Sequence, residues 1–284
     1  MINFMLRNLK IFFRDKSAVF FSLLAVFIII GLYALFLGDV WAEDYSDIEN
    51  ARYLMDSWIM AGLLAVTSVT TTMGALGIMV ADKARNIIKD FQSSPVSRSA
   101  LAGGYSLSAF VIGVIMSIVA LILAEIYILA NGGELLTGTK TLQVLALILL
   151  SSLASTAILF FLASLFKSLH AFSTASTIIG TLIGFLTGIY LPIGVLPEAI
   201  QYAIKIFPIS HAAVLFRQIL MEAPLQKAFA HAPAESLEEF NSMMGVTFRF
   251  GDTLLTPQGS ILVLLVTAGL FYGLSILNLS RKRK

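Results

Sequence analysis

Residues 188–217 read GIYLPIGVLPEAIQYAIKIFPISHAAVLFR, and this stretch decides the fold. It follows an apolar run of membrane length and is itself apolar, yet Pro192, Pro197 and Pro208 interrupt it. Proline lacks a backbone donor and clashes with the preceding helical turn, so no single straight helix suits the stretch. Irregular backbone is tolerated at membrane depth only inside protein or beside a water-filled cavity. Residues 190–217 therefore predict a re-entrant pair of half-helices, in a protein that provides a passage through a bilayer.

The composition indicates an integral membrane protein. Of the 284 residues, 58% are hydrophobic and 13% are charged, whereas soluble domains carry roughly 25% charged residues. There is no cysteine, which excludes disulfides, thiolate metal sites and cysteine nucleophiles.

Six apolar stretches approach or exceed the ~20 residues that cross the hydrocarbon core as a helix. The sequence therefore predicts an all-α membrane protein with six spans that form a single transmembrane domain over 1–284. The predicted spans are 18–37, 58–80, 105–130, 142–166, 171–189 and 260–279.

Basic residues set the orientation, because Lys and Arg accumulate in cytoplasmic loops. One side of the six-span arrangement holds thirteen of them, and the short loops of the other side hold only Arg52 and Lys140. Both termini are therefore expected in the cytoplasm. The thirteen are Arg7, Lys10, Arg14, Lys16, Lys83, Arg85, Lys89, Arg98, Lys167, Arg281, Lys282, Arg283 and Lys284.

Residues 1–17 predict an interfacial helix on the cytoplasmic surface. Apolar residues recur at helical spacing, with Arg7, Lys10 and Arg14 on the other side, a pattern that suits the headgroup boundary. A plain basic anchor is a compatible alternative. The apolar residues are Ile2, Met5, Leu6, Leu9, Phe12 and Phe13.

The loop over 81–100 predicts a short amphipathic helix. Ala84, Ile87, Ile88 and Phe91 follow the spacing of one helix face. This face either lies on the membrane or on the protein's own helices, or it docks a partner. We expect a partner.

The fifth span carries small residues at every fourth position: Ser176, Gly180, Gly184 and Gly188. Such a ridge lets another helix approach closely. Packing within one bundle and self-association of two copies both remain open from this pattern.

Two further regions are less specific. Residues 218–259 predict an outer loop that contains a short helix. Glu125 is the only acid or base within the spans. An intramembrane carboxylate often marks a transport path, but Glu125 lies near the outer end of its span, where a structural or interfacial role is the alternative.

No catalytic or cofactor site is expected on this chain. Residues 133–140 imitate a phosphate-binding loop, but Lys140 follows Thr139 instead of preceding it, so the ammonium and hydroxyl groups are misplaced for phosphate and magnesium. His170, His211 and His231 are scattered, which does not suit a metal site. The energy source for transport is therefore expected on another polypeptide.

Three motifs in order resemble a known family, the type-2 ATP-binding cassette (ABC) permeases, which are membrane subunits of bacterial exporters. Residues 7–16 (RNLKIFFRDK) are similar to the family's amphipathic first helix. Residues 94–98 (SPVSR) are similar to the stretch after its cytoplasmic helix. The three prolines and Arg217 resemble its paired re-entrant helices.

The resemblance implies a dimer of permeases, homomeric or heteromeric, in the bacterial cytoplasmic membrane, bound to two ABC ATPase subunits that hold ATP and magnesium. By that analogy the helix at Asp82–Phe91 is a coupling helix. The residues assigned to coupling are Arg85, Ile87, Ile88, Asp90 and Phe91. Those assigned to the re-entrant exit region are Pro192, Pro197, Pro208, His211 and Arg217.

The sequence thus supports one leading function and one alternative. The leading hypothesis is the permease subunit of an ATP-driven exporter of hydrophobic or amphiphilic molecules, such as drugs, antimicrobial peptides or lipids. The alternative is a carrier or channel that runs on an ion gradient without an ATPase.

Overall fold

The computed structural model describes residues 1–45, 48–92, 97–251 and 253–281. These ranges are helical, except for loops and one antiparallel hairpin in which Arg249–Phe250 pairs with Thr253–Leu254. The all-α prediction is therefore confirmed apart from this hairpin. Residues 94–96, which belong to one of the family motifs, and the basic residues 282–284 lie outside the described residues.

The helices are numbered in chain order. A π-helix, Tyr33–Leu37, separates α3 from α4, and a short 3-10 helix, Ile193–Val195, precedes α10. The α-helices are α1 Ile2–Arg14, α2 Lys16–Ser22, α3 Leu24–Leu32, α4 Gly38–Asp44, α5 Ala51–Ala84, α6 Ile87–Gln92, α7 Arg98–Ala130, α8 Gly138–Leu165, α9 Leu169–Leu186, α10 Glu198–Ile206, α11 Pro208–Leu220, α12 Glu222–Ala228, α13 Ala234–Met243 and α14 Pro257–Arg281.

Five of the described helices are long and apolar enough to cross a membrane, and two bent pairs raise the number to at most seven. The predicted number of six lies within this range. Helices α5 and α7 have 34 and 33 residues, about 50 Å at 1.5 Å per residue. Both exceed the ~30 Å of hydrocarbon, so their ends project beyond it. The predicted spans do not include these ends, because the ends carry charged residues.

Helix α5 forms the centre of the bundle and packs against α7, α8, α9 and α11. Its hydroxyl groups are satisfied mainly within the helix itself. Thr67 donates to the Leu63 carbonyl and Thr71 to the Thr67 carbonyl, each at 2.7 Å. Ser68 also reaches Ser155 of α8 at 3.0 Å. Ser68 thus joins α5 to α8, whereas Thr67 and Thr71 satisfy their hydroxyl groups within α5.

The first predicted span, 18–37, is not one straight helix. Helix α2 ends at Ser22, and the following helix is bent from it by 46°. The Ser22 hydroxyl donates to the Val19 carbonyl at 2.8 Å, a bond that competes with the helical ladder and favours bending. The π-helix at Tyr33–Leu37 is a second irregularity. The first span is therefore the least regular of the described apolar helices.

The proline-rich stretch folds as two short helices at 89°, α10 and α11. Pro208 occupies the first turn of α11, where its missing N–H breaks no hydrogen bond. Helix α11 packs against α5, α8 and α14, but its 13 residues reach only about 20 Å. This geometry agrees with the predicted half-helices, whose re-entrant position in a membrane stays a prediction.

A left-handed glycine separates α9 from this stretch. Gly188 has a φ of 64°, and its N–H donates to the Phe185 carbonyl at 3.0 Å. The next N–H, of Ile189, donates to the Gly184 carbonyl at 3.0 Å. These two bonds define a Schellman cap, which requires positive φ and therefore favours glycine. The chain leaves the α9 axis here.

The predicted outer loop over 218–259 is largely structured. It contains α12, α13 and the hairpin. Phe240 of α13 is buried, and Trp58 of α5 donates to the Met244 carbonyl at 2.7 Å. The predicted outer loop is thus packed onto the N-terminal part of α5.

Candidate functional site

Helix α1 meets the ends of α5 and α7 that are predicted to face the cytoplasm, and an ion pair lies at this contact. Arg7 of α1 donates to both carboxylate oxygens of Asp82 at the end of α5, at 2.5 and 3.2 Å. The Tyr105 hydroxyl of α7 donates to the same carboxylate at 2.7 Å. We call Phe4, Arg7, Asp82, Phe91 and Tyr105 the cytoplasmic cluster. It joins the interfacial helix to two long spans.

Aromatic contacts attach α6 to the same place. The Phe91 ring of α6 meets the Phe4 ring edge-on, with centroids 5.0 Å apart. The Arg7 guanidinium carbon lies 5.3 Å from the Phe91 centroid, within cation–π range. Phe4 also contacts the Tyr105 ring at 4.8 Å. A displacement of α6 would therefore act directly on α1 and, through Phe4, on α7.

The charges in the cytoplasmic cluster depend on each other. The Asp82 side chain is only 8% exposed, and a buried carboxylate is stable only when it is paired and hydrogen-bonded. The hydrogen bond to Asp82 raises the pKa of the Arg7 guanidinium above its usual value, so Arg7 stays positively charged. Loss of either partner leaves the other charge poorly compensated.

Two glycines of α7 make room for α1. A methyl group at Gly104 would lie 2.7 Å from the Phe4 ring, and one at Gly103 would lie 3.0 Å from the Met1 sulfur. The sequence alone does not predict the cytoplasmic cluster. The available signals were the Gly-Gly pair near the start of the third span and an acid placed directly after the second.

The predicted coupling helix is shorter than expected. Asp82 to Ala84 still belong to α5, and α6 begins only at Ile87, because Asn86 adopts a left-handed φ of 61° that asparagine tolerates better than most residues. The expected helix over Asp82–Phe91 is therefore two helices with a break.

The coupling residues divide by exposure. Arg85 and Asp90 are exposed, whereas Ile87, Ile88 and Phe91 are half-buried. The neighbouring Lys89, which is not one of the five assigned residues, is also exposed. Phe91 contacts α1, and Ile88 packs against the core. The apolar face that we expected to dock a partner is thus covered in part by the protein's own helices. A role in ATPase coupling stays a prediction for all five residues assigned to it.

The small-residue ridge of α9 also divides. Gly184 and Gly188 are used within the subunit: a methyl group at Gly184 would overlap the Tyr190 ring, and Gly188 forms the Schellman cap. Around Gly180 the equivalent space is open, and Ser176 is half-buried. A dimer contact stays a prediction for the whole ridge.

A cleft of about 380 Å³ lies between α2, α5 and α9. It is lined mainly by apolar side chains, including Phe21, Met73 and Phe172. The side chains of Thr70, Ser173 and Ser176 also line it. Hydrophobic walls with a few polar groups are typical of pockets for small apolar or amphiphilic molecules. The cleft reaches Ser176 and Gly180 of the α9 ridge.

Arg217 forms the centre of an outer cluster. Its guanidinium is fully buried and lies 4.9 Å from the Trp58 ring centroid. It donates to the carbonyls of Thr187 and Gly188 at 2.9 Å and to that of Gly245 at 3.3 Å. The first two carbonyls close the C-terminal end of α9, which carries partial negative charge. Arg217 therefore joins α9, α11 and the outer loop.

The other exit-region residues have structural contacts too. His211 is buried between the Ser260 hydroxyl at 3.2 Å and the Lys205 carbonyl at 3.0 Å. Pro192 and Pro197 stand immediately before helices, at the caps of the 3-10 helix and of α10. A direct role of these residues in export stays a prediction.

Glu125 supports a loop. Its Oε2 accepts the backbone N–H of Leu136 at 3.0 Å and thereby holds the α7–α8 connection. This contact supports the structural alternative, and a place in the transport path stays a prediction. Among the described residues no group of three or more His, Asp or Glu side chains is arranged to hold a metal ion.

The fold and these sites define a multi-pass helical membrane protein of the permease class. A family model described as ABC-2 type transporter matches residues 3–221, most of the chain. The chain therefore belongs to this family, the membrane permeases of type-2 ABC transporters, and the resemblance noted from the sequence is confirmed. Such permeases normally partner with ABC ATPase subunits. A comparison with curated proteins finds no match.

Proposed function

We propose that this chain is the membrane subunit of an ATP-driven exporter that moves a hydrophobic or amphiphilic molecule outward. ATP and magnesium bind to two separate ATPase subunits, and a second permease, identical or different, completes the passage in the bacterial cytoplasmic membrane. The observation that carries this proposal is the cytoplasmic cluster, which connects the loop between α5 and α7 to three helices at once.

The exposed residues of this loop provide the contact with the ATPase. Arg85, Lys89 and Asp90 are exposed, so they are available to a cytoplasmic partner. Phe91 packs against α1, and Ile88 packs against the core. Movement of the loop, driven by the ATPase, is transmitted through these two contacts. This division of roles modifies the expectation that the apolar face itself enters a groove of the ATPase.

The cleft between α2, α5 and α9 is the part of the subunit that we assign to the cargo path. Two copies that face each other across Ser176 and Gly180 would place their clefts on a shared passage. ATP shifts such a passage between inward- and outward-facing states only if its binding energy differs between them. The apolar lining suits amphiphilic cargo.

A site-specific cross-link tests the ATPase contact. The chain has no cysteine, so a Lys89→Cys variant carries a photoactivatable label at one position only. In membranes of the source cell we expect the label to capture a protein with ATP-binding cassette motifs, identified by mass spectrometry. A Glu235→Cys variant, labelled on the exposed surface of α13, should not capture it. Equal capture at both positions, or none at residue 89, contradicts the proposal.

A further inference from the structure

The outer face of α1 is not covered by the protein. Phe4, Asn8 and Phe12 turn inward, and Asn8 and Phe12 are buried. Ile2, Leu6 and Phe13 remain 62%, 43% and 39% exposed. The apolar residues predicted to face the membrane are thus split, with Phe12 packed inside and these three left outside.

Basic side chains flank this exposed apolar face. Lys10 and Arg14 are exposed, and in the described ranges neither forms an ion pair. With Arg7 they follow one another at spacings of three and four residues, which places them on one side of the helix. A shallow groove of about 490 Å³ runs between these side chains, lined by Asn3, Leu6, Arg7, Lys10, Ile11 and Arg14.

The position of α1 in the chain determines which part of the membrane its exposed face contacts. Only Asp15 separates it from α2, and the Asp15 side chain accepts the Ala18 N–H at 3.0 Å to start that helix. Helix α2 begins a bent pair that is apolar enough to cross the membrane. The face of α1 therefore lies at the level where the chain enters the bilayer from the cytoplasmic side.

We propose that the groove on α1 binds the phosphate-bearing headgroup of an anionic phospholipid of the cytoplasmic leaflet. Lys10 and Arg14 contact the headgroup, and Leu6 and Phe13 lie along the acyl chains. A helix with basic side chains beside an apolar face is attracted to anionic lipid in this way. Arg7 contributes less, because Asp82 already engages its guanidinium. The proposal requires no ATPase and is independent of the proposed function.

The test measures which lipid lies next to α1 in the full chain. A Leu6→Cys variant is labelled with a fluorophore and reconstituted in vesicles of phosphatidylglycerol and phosphatidylcholine. Bromine, which quenches the fluorophore, is carried by only one of the two lipids at a time. We expect phosphatidylglycerol to be enriched about thirtyfold over phosphatidylcholine beside the label, since Lys10 and Arg14 each contribute about 1 kcal/mol of attraction.

Two comparisons decide the outcome. Lys10→Gln with Arg14→Gln should abolish the enrichment while leaving quenching by phosphatidylcholine in place. A label at Ile122→Cys, which is 54% exposed on α7 and remote from α1, should show no preference. Equal quenching by both lipids at residue 6, or enrichment that survives the double substitution, overturns the proposal. A label that neither lipid quenches also overturns it, because a protein partner then covers this face.

Discussion

Replacing Arg217 with methionine is expected to destabilise the protein by about 3–5 kcal/mol, because hydrogen bonds from a charged group contribute about 1.5–3 kcal/mol each and the unmet carbonyls remain buried. The variant loses donors to Thr187, Gly188 and Gly245 together with the Trp58 contact. The free energy of unfolding in mixed detergent micelles, followed by tryptophan fluorescence, measures the effect.

A matched arginine provides the control for this variant. Arg249 pairs with Glu238 at 3.4 Å, and both side chains are well exposed. Arg249→Met should therefore change stability by less than about 1 kcal/mol. Arg217→Lys should be intermediate, since an ammonium keeps the charge but cannot span the same three carbonyls. If Arg217→Met is as stable as Arg249→Met, the outer cluster does not hold α9, α11 and the outer loop together.

Replacing Asp82 with leucine is expected to loosen α1 and α6 together. It leaves Arg7 without its carboxylate partner and costs about 3 kcal/mol, the lower end of the range for breaking a buried pair. Capture of the ATPase by a label at Lys89→Cys should fall accordingly. Unfolding in micelles and the cross-link yield are measured on the same variants.

The double substitution Arg7→Met with Asp82→Leu separates charge from packing. An apolar pair of similar volume is often neutral relative to a buried ion pair, so the double variant should regain most of the stability that Asp82→Leu loses. Additive losses in the two single variants would show that Arg7 and Asp82 do not act as a pair.

The sequence predicted the helical class, the family and the proline-bent pair, because these follow from hydropathy and from the loss of backbone donors at Pro192, Pro197 and Pro208. It did not predict the break in the first span or the length of α5. Hydropathy measures how favourably side chains transfer from water into lipid. It therefore does not reveal a bend at Leu23 or polar helix ends that extend beyond the hydrocarbon.

The sequence does not predict which tertiary contacts individual polar residues make. The sequence predicts Arg7 as one of several basic residues and Asp82 as the start of a helix, whereas the two side chains pair across 75 positions. Arg217 was expected in the exit region, and its contacts with carbonyls of α9 and the outer loop depend on a fold that periodicity does not specify. From the sequence alone, Gly184 and Gly188 fit a dimer ridge equally well. The structure instead places Gly184 against Tyr190 and Gly188 in the cap of α9.

The central claim is that an ATPase acts on this permease through the cytoplasmic cluster. The most direct measurement is the ATP hydrolysis rate of the ATPase captured at residue 89, reconstituted in vesicles alone, with the wild-type chain or with the Asp82→Leu variant. We expect several-fold faster hydrolysis with the wild-type chain than with the ATPase alone or with the Asp82→Leu variant. Equal rates in all three, together with transport by the chain alone on an ion gradient, would contradict it.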